Sequence, residues 1–177
     1  MLFRIAYPEA KIVYKNFLDI EQAVINGEVD AGVLIHESIL TYDESLEVER
    51  EMWDIWQSLG GEGMPLPLGG MAVRRSLPVT RAIAYEKLLT DAVRVATKCK
   101  PMLSRMLLER DLFRVDATKL ETYLNMYAND DSVTMNELQL KAVNHLFKLG
   151  FDHGQYDSLI DVNDFLIPDE YEKARFS

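Results

Sequence analysis

Residues 27–38 read Gly-Glu-Val-Asp-Ala-Gly-Val-Leu-Ile-His-Glu-Ser, a turn that launches a short apolar run and stops abruptly at His36 and Glu37. Histidine titrates near neutrality, which suits it to taking a proton and returning it. Val33 to Ile35, bounded by Gly32 and by two polar residues, have the composition of a buried parallel strand whose carboxyl end opens into a loop. Ligands of open α/β sheets bind outside the carboxyl ends of the strands, so His36 is the first candidate for acid–base work. The plainer alternative is a histidine that closes a strand with a backbone hydrogen bond.

Other reactive side chains are less suggestively placed. His145 lies in a helical stretch and His153 precedes Gly154, neither with carboxylates at zinc-ligand spacing, so structural or solvent-facing roles are expected. Asp130-Asp131 after Asn129 suits a capped turn better than a cation site. Arg74-Arg75 could grip a carboxylate in a bidentate fork, but such a pair more often ends a strand in solvent. The Gly60-Gly61-Glu62-Gly63 run lacks a following lysine and reads as a hinge, not a phosphate cradle. No phosphate loop, dinucleotide fingerprint, metal-ligand cluster or nucleophile elbow is present, which removes several large enzyme classes.

Composition narrows the partners. Nineteen Lys and Arg against 29 Asp and Glu leave a net charge of −10, which argues against nucleic acid and anionic membrane. With 48% hydrophobic residues in 177, the chain has the means to bury a core. The single cysteine, Cys99, cannot form an internal disulfide; it sits among apolar helix residues and is expected to be a core thiol in a reducing cytoplasm. The first residues lack the pattern of a secretory leader, and no apolar run approaches the roughly 18 residues of a membrane helix.

The elements that must position His36 follow from periodicity. Leu2, Phe3, Ile5 and Ala6 read as the last turns of a helix stopped by Pro8, with no cap ahead of it. Lys11 to Tyr14 is expected as a strand, Asn16 to Asn26 as a helix with Phe17, Ile20, Val24 and Ile25 on one stripe, and Gly27 as its stop. Asp30 to Ile35 then completes a strand–helix–strand unit. Leu46, Val48 and Met52 fit either a strand or the start of a helix through Trp53, Ile55 and Trp56. Pro65-Leu66-Pro67 must be an extended crossing, followed by a strand over Met71 to Arg75. From Pro78 onward the pattern is helical: about Thr80 to Lys98, Pro101 to Glu109, Asp116 to Ala128, and Thr134 to Leu149 with Thr134 and Glu137 as a capping box and Gly150 as the stop. The tail from Phe151 to Ser177 is mixed.

The run at 27–38 with Thr41-Tyr42, followed by Pro65-Leu66-Pro67-Leu68-Gly69 and Ala72-Val73-Arg74-Arg75, resembles the 1,4-dihydroxy-6-naphthoate synthases of the futalosine route to menaquinone. Ala6-Tyr7-Pro8 and Tyr127-Ala128-Asn129 extend the similarity over essentially the whole chain. The resemblance implies an α/β, two-lobed fold of the type II periplasmic-binding-protein kind, with a parallel or mixed sheet lobe followed by a helical C-terminal half. It implies a cleft for cyclic dehypoxanthine futalosine and a reaction without metal or organic cofactor. In that family the histidine of the Leu-Ile-His-Glu motif is the catalytic base, a position held here by His36. By the same resemblance Glu37 is placed at the substrate, and Leu66, Pro67 and Gly69 in an apolar wall against a flat bicyclic ligand.

The family also carries an N-terminal region with a Thr-Thr-Ala helix start that is not among these residues, so an incomplete fold is expected. Residues 1–76 would be the smaller lobe carrying His36, and 77–177 the helices returning to the other. The partner is a small-molecule substrate, with neither nucleic acid nor membrane, and a homodimer is left open. The rivals are a chorismate dehydratase of the same pathway, disfavoured by the Leu-Ile-His-Glu motif, and a non-catalytic small-molecule binder. A third option is a chain that is poorly active alone.

Overall fold

The computed structural model describes residues 1–171, so the last six residues of the expected 77–177 segment and of the tail lie outside the described residues. Seven α-helices follow one another: α1 (Leu2–Ala6), α2 (Ile20–Ile25), α3 (Met52–Trp56), α4 (Val79–Lys98), α5 (Lys100–Glu109), α6 (Ala117–Tyr127) and α7 (Glu137–Asp152). Short 3-10 turns at Phe17–Asp19, His36–Leu40, Asp130–Ser132 and Val162–Phe165 join them, and a π-turn at Gln57–Gly61 continues α3.

There is no strand among the described residues, and this corrects the expected α/β, two-lobed periplasmic-binding-protein-like fold with a sheet lobe. The segments expected as strands are present as irregular or extended chain at 11–14 and 30–35, and at 71–75 as irregular chain running into a turn at Arg75. A strand exists only when a neighbour shares its ladder, because each residue has a donor and an acceptor to satisfy. Among the described residues no backbone hydrogen bond joins any of these three segments to another stretch of extended chain; the bond of Leu77 N on Arg74 O at 3.0 Å closes a local turn. Apolar composition can favour a pleated conformation, but it cannot supply the second strand.

The helices form where expected, and their ends show why. Asn16 caps the first turn ahead of α2 by accepting from Leu18 N at 3.0 Å. At the other end Gly27 takes a left-handed φ of 68°, with Gly27 N bonded to Val24 O and Glu28 N to Ala23 O, which is a Schellman stop. Asp116 caps α6 by accepting from Lys119 N at 2.9 Å. The capping box of α7 is Asn136 with Gln139 and not the expected Thr134 with Glu137. Gly150 is not a stop but lies inside α7; the stop is Gly154 at φ 65°, with Gly154 N on Phe151 O and Gln155 N on Gly150 O.

The core is made by α1, α3 and α7. Leu2, Ile55, Trp56, Met64, Ala142 and Leu149 form one buried cluster, with Ile5, Met52 and Leu146 packed around it. Trp56 is fully buried and its indole N–H donates to Met64 O at 3.0 Å, so its one polar atom is satisfied. Gly61 closes over the ring: a Cβ there would stand 2.3 Å from Trp56 Cε2. The glycine run is therefore a tight turn sealing the core, with Gly60 in a left-handed conformation at φ 87°.

Elsewhere burial is sparse. In α4 only Ala82 and Ile83 are buried, while Tyr85, Leu88, Leu89 and Val95 face outward. Cys99, expected in a core, is exposed where α4 meets α5. The chain exposes 13251 Å², against about 8,800 Å² for a compact monomer of its 20.3 kDa. No helix among the described residues is long and apolar enough to cross a membrane.

Candidate functional site

Two arms of the chain converge on His36. The first begins at α2. Gly32 passes so close to that helix that a Cβ would lie 2.5 Å from Ile20 Cγ2 and 3.1 Å from Val24 Cγ2, so only glycine lets the segment run across this face. Ile35 is extended, at φ −137° and ψ 172°, and the chain then reverses at His36, whose φ of 58° is left-handed. Histidine is among the residues that reach this region more readily than most, at a cost of order 1–3 kcal/mol that the surroundings must sustain. His36–Leu40 follows as a 3-10 turn, closed by Thr41 N on Ser38 O at 3.2 Å and by the Thr41 hydroxyl donating to Glu37 O at 3.4 Å.

The second arm is the connection from α5 to α6. Asp111, at φ 53°, ends α5 in a Schellman stop, with Asp111 N on Leu108 O and Leu112 N on Leu107 O. With Asp116 starting α6, this sets the path of the intervening residues, among them Arg114. From there Arg114 Nη2 donates to Glu37 Oε1 at 2.8 Å.

The result is a small polar and aromatic group. Glu37 is 9% exposed, the one buried charged residue among those described, whereas His36 beside it is open to solvent. Burial pushes the Glu37 carboxyl up, but its own backbone N–H, the hydrogen bond and charge of Arg114 and the neighbouring His36 outweigh this and hold it below the ordinary value of 4.5. Phe17 meets the His36 imidazole edge-on, ring centres 5.0 Å apart, and the Arg114 guanidinium lies 5.9 Å from the Phe17 ring centre. Tyr123 lies between Phe113 at 5.0 Å and Tyr127 at 4.6 Å, its ring tilted against both. Its hydroxyl is pushed up by burial and, less strongly, by Tyr127 and the Glu37 charge. An exposed imidazole, a fixed carboxylate behind it and aromatic surface alongside can receive a proton from a flat ligand approaching from solvent.

Of the residues singled out from sequence, His36 and Glu37 meet at this turn. Leu66 packs against the Trp56 cluster, Pro67 is half-buried, and Gly69 faces open space. Arg114, Phe17 and Tyr123 belong to the group yet carried no motif. Arg114 is 77 residues from its partner, and Phe17 registered only as part of an apolar stripe. His145 bonds Leu59 O through Nε2 at 2.8 Å and meets Trp56 edge-on, and His153 bonds Leu149 O through Nδ1 at 2.9 Å, so both serve structure. Arg75 lies over the Phe165 ring at 4.4 Å. Asn129 accepts from Asp131 N at 3.0 Å, the capped turn expected there. Among the described residues no group of three or more His, Cys, Asp or Glu is placed to hold a metal ion.

A family model described as menaquinone biosynthesis matches residues 1–152, all but the end of the chain. The chain belongs to the menaquinone-biosynthesis family. Within that family it is 32% identical over 131 residues to a Streptomyces coelicolor protein named 1,4-dihydroxy-6-naphtoate synthase, an alignment covering 72% of this chain and 44% of the relative. Among solved structures, the crystal structure of protein AF1704 from Archaeoglobus fulgidus superposes with a TM-score of 0.76 at 30% identity, covering 88% of this chain and 58% of that one. The menaquinone-biosynthesis chain described here thus spans about half the length of these relatives. The His36 turn, the Arg114 connection and α1 to α7 all lie inside the matched residues.

Proposed function

We propose that this chain carries the catalytic base of a 1,4-dihydroxy-6-naphthoate synthase, a lyase converting cyclic dehypoxanthine futalosine to 1,4-dihydroxy-6-naphthoate in menaquinone biosynthesis. His36 removes a proton next to a carbonyl-type centre of the substrate; a carbon–carbon bond of that ring then breaks, the fragment it releases takes the proton back from His36, and the naphthoate that remains aromatises. Glu37 backs the base within the same turn, and Pro67 and Gly69, next to the core-packed Leu66, supply the apolar wall. Residues 1–76 bring the base and 77–177 the helices behind it, in the cytoplasm.

The observation that supports this reading best is the His36 turn itself. An exposed imidazole sits on a left-handed backbone position, directly before a buried carboxylate that is tied to another part of the chain. Rare backbone conformations that the surroundings enforce cluster at working sites. The curated relative's name points to the same chemistry.

The test is turnover of cyclic dehypoxanthine futalosine by the purified protein, with the naphthoate product followed by chromatography. Product is expected from the wild type and not from His36→Ala. Wild-type turnover by His36→Ala would end the assignment of the base.

A further inference from the structure

We infer that Arg114 is a positioning residue for His36, acting through Glu37 and Phe17 without contacting the substrate. The inference rests on the reading of His36 as the base. Arg114 holds the residue that follows His36 in the chain, through the 2.8 Å bond to the Glu37 carboxylate. Its guanidinium also lies against Phe17, 5.9 Å from the ring centre, and Phe17 is the ring on which the His36 imidazole rests at 5.0 Å. One side chain therefore braces both the backbone and the ring of the base.

Such a brace is needed because of what His36 does locally. A non-glycine residue at φ 58° relaxes to an ordinary conformation unless its neighbours forbid it. Within itself the turn is closed by its own short 3-10 bonding, by Thr41 N on Ser38 O at 3.2 Å and by the long 3.4 Å contact of the Thr41 hydroxyl with Glu37 O. A long-range constraint is added from outside the turn by Arg114, from a connection whose path is set by the Asp111 stop and the Asp116 cap. There is a second consequence in charge. Without Arg114 the buried Glu37 carboxylate keeps only its backbone N–H for compensation beside the base, which alters the pH range over which that base works.

The experiment compares Arg114→Met, Arg114→Lys and His36→Asn in the protein with cyclic dehypoxanthine futalosine as substrate. Arg114→Met is expected to lower kcat by up to about 100-fold with KM nearly unchanged, as for a misplaced reacting group, and to displace the pH–rate profile. Arg114→Lys, which keeps the charge, recovers part of both. A second readout needs no turnover. The ring-proton resonances of His36, identified by their loss in His36→Asn, move toward free imidazole in Arg114→Met and less so in Arg114→Lys.

The proposal is overturned if Arg114→Met keeps wild-type kcat, pH profile and His36 resonances and only unfolds at a lower temperature. It is equally overturned if KM alone rises, since that marks direct contact with substrate. Wild-type turnover by His36→Asn removes the base assignment instead, and the resonances then still decide whether Arg114 holds this turn.

Discussion

Arg114 and Glu37, 77 residues apart, meet in a hydrogen-bonded ion pair at 2.8 Å in which the carboxylate is 12% exposed and the guanidinium 53%. The asymmetry sets the energetics. Arg114 loses little hydration, while Glu37 loses most of its own and depends on this partner and on its backbone N–H for compensation. The pair also ties the turn that follows α2 to the start of α6, so its loss releases two arms at once.

The first prediction concerns acid. Because the Glu37 carboxyl is held below 4.5 in the folded chain, the native state binds fewer protons than the unfolded state near that pH. The resulting stability is fully present above the ordinary carboxyl value and is lost as pH falls through the lower folded value. Glu37→Gln is expected to flatten stability against pH below about 4.5, and Arg114→Met to lower stability at neutral pH by about 1–3 kcal/mol. Urea unfolding at several pH values measures both. A Glu37→Gln curve parallel to the wild type would show that the carboxylate does not carry this dependence.

Substitutions of His36 itself separate backbone from ring. His36→Gly and His36→Ala both lose the contact with Phe17, but only glycine occupies a φ of 58° freely. The glycine variant is expected to be the more stable of the two by about 1 kcal/mol, the reverse of their usual order. Denaturant midpoints read the difference, and an alanine variant that is more stable would argue against strain at this position.

Helix propensity and packing disagree at Gly150, which makes it informative. Inside a helix, glycine to alanine ordinarily stabilises by about 1 kcal/mol. Here a Cβ would stand 2.3 Å and 2.6 Å from Tyr156 ring carbons and 2.8 Å from Met1 Sδ. Gly150→Ala is therefore expected to destabilise, by about 1–3 kcal/mol as in other overpacked sites. Thermal unfolding of the variant settles the sign, and a higher midpoint would mean that Tyr156 moves aside at no cost.

The start of α7 provides a check on local chemistry. Asn136 Oδ1 accepts from Gln139 N at 2.9 Å and Gln139 Oε1 accepts from Asn136 N at 2.8 Å. Asn136→Ala is expected to cost about 1 kcal/mol, whereas Thr134→Ala costs much less because Thr134 lies ahead of the cap. Chemical denaturation of the two variants distinguishes them; equal losses would return the cap to Thr134.

What the sequence by itself determined was local. The helices after Pro78, the Gly27 stop, the Asp116 cap and the abrupt end of the apolar run at His36 were legible because each depends on residues within one or two turns of one another. His36 stood out for the same reason, as did its tie to a named family through an adjoining motif.

Only the tertiary structure decided the rest. The three expected strands are not formed among the described residues, since a strand requires a partner that composition at 11–14, 30–35 or 71–75 does not provide. Cys99 is exposed and Gly150 lies inside a helix because burial and close approach depend on what packs opposite. Arg114 reaches Glu37 only because the Asp111 stop and the Asp116 cap direct one connection toward a turn 77 residues away, and no pattern of spacing along the chain encodes that meeting.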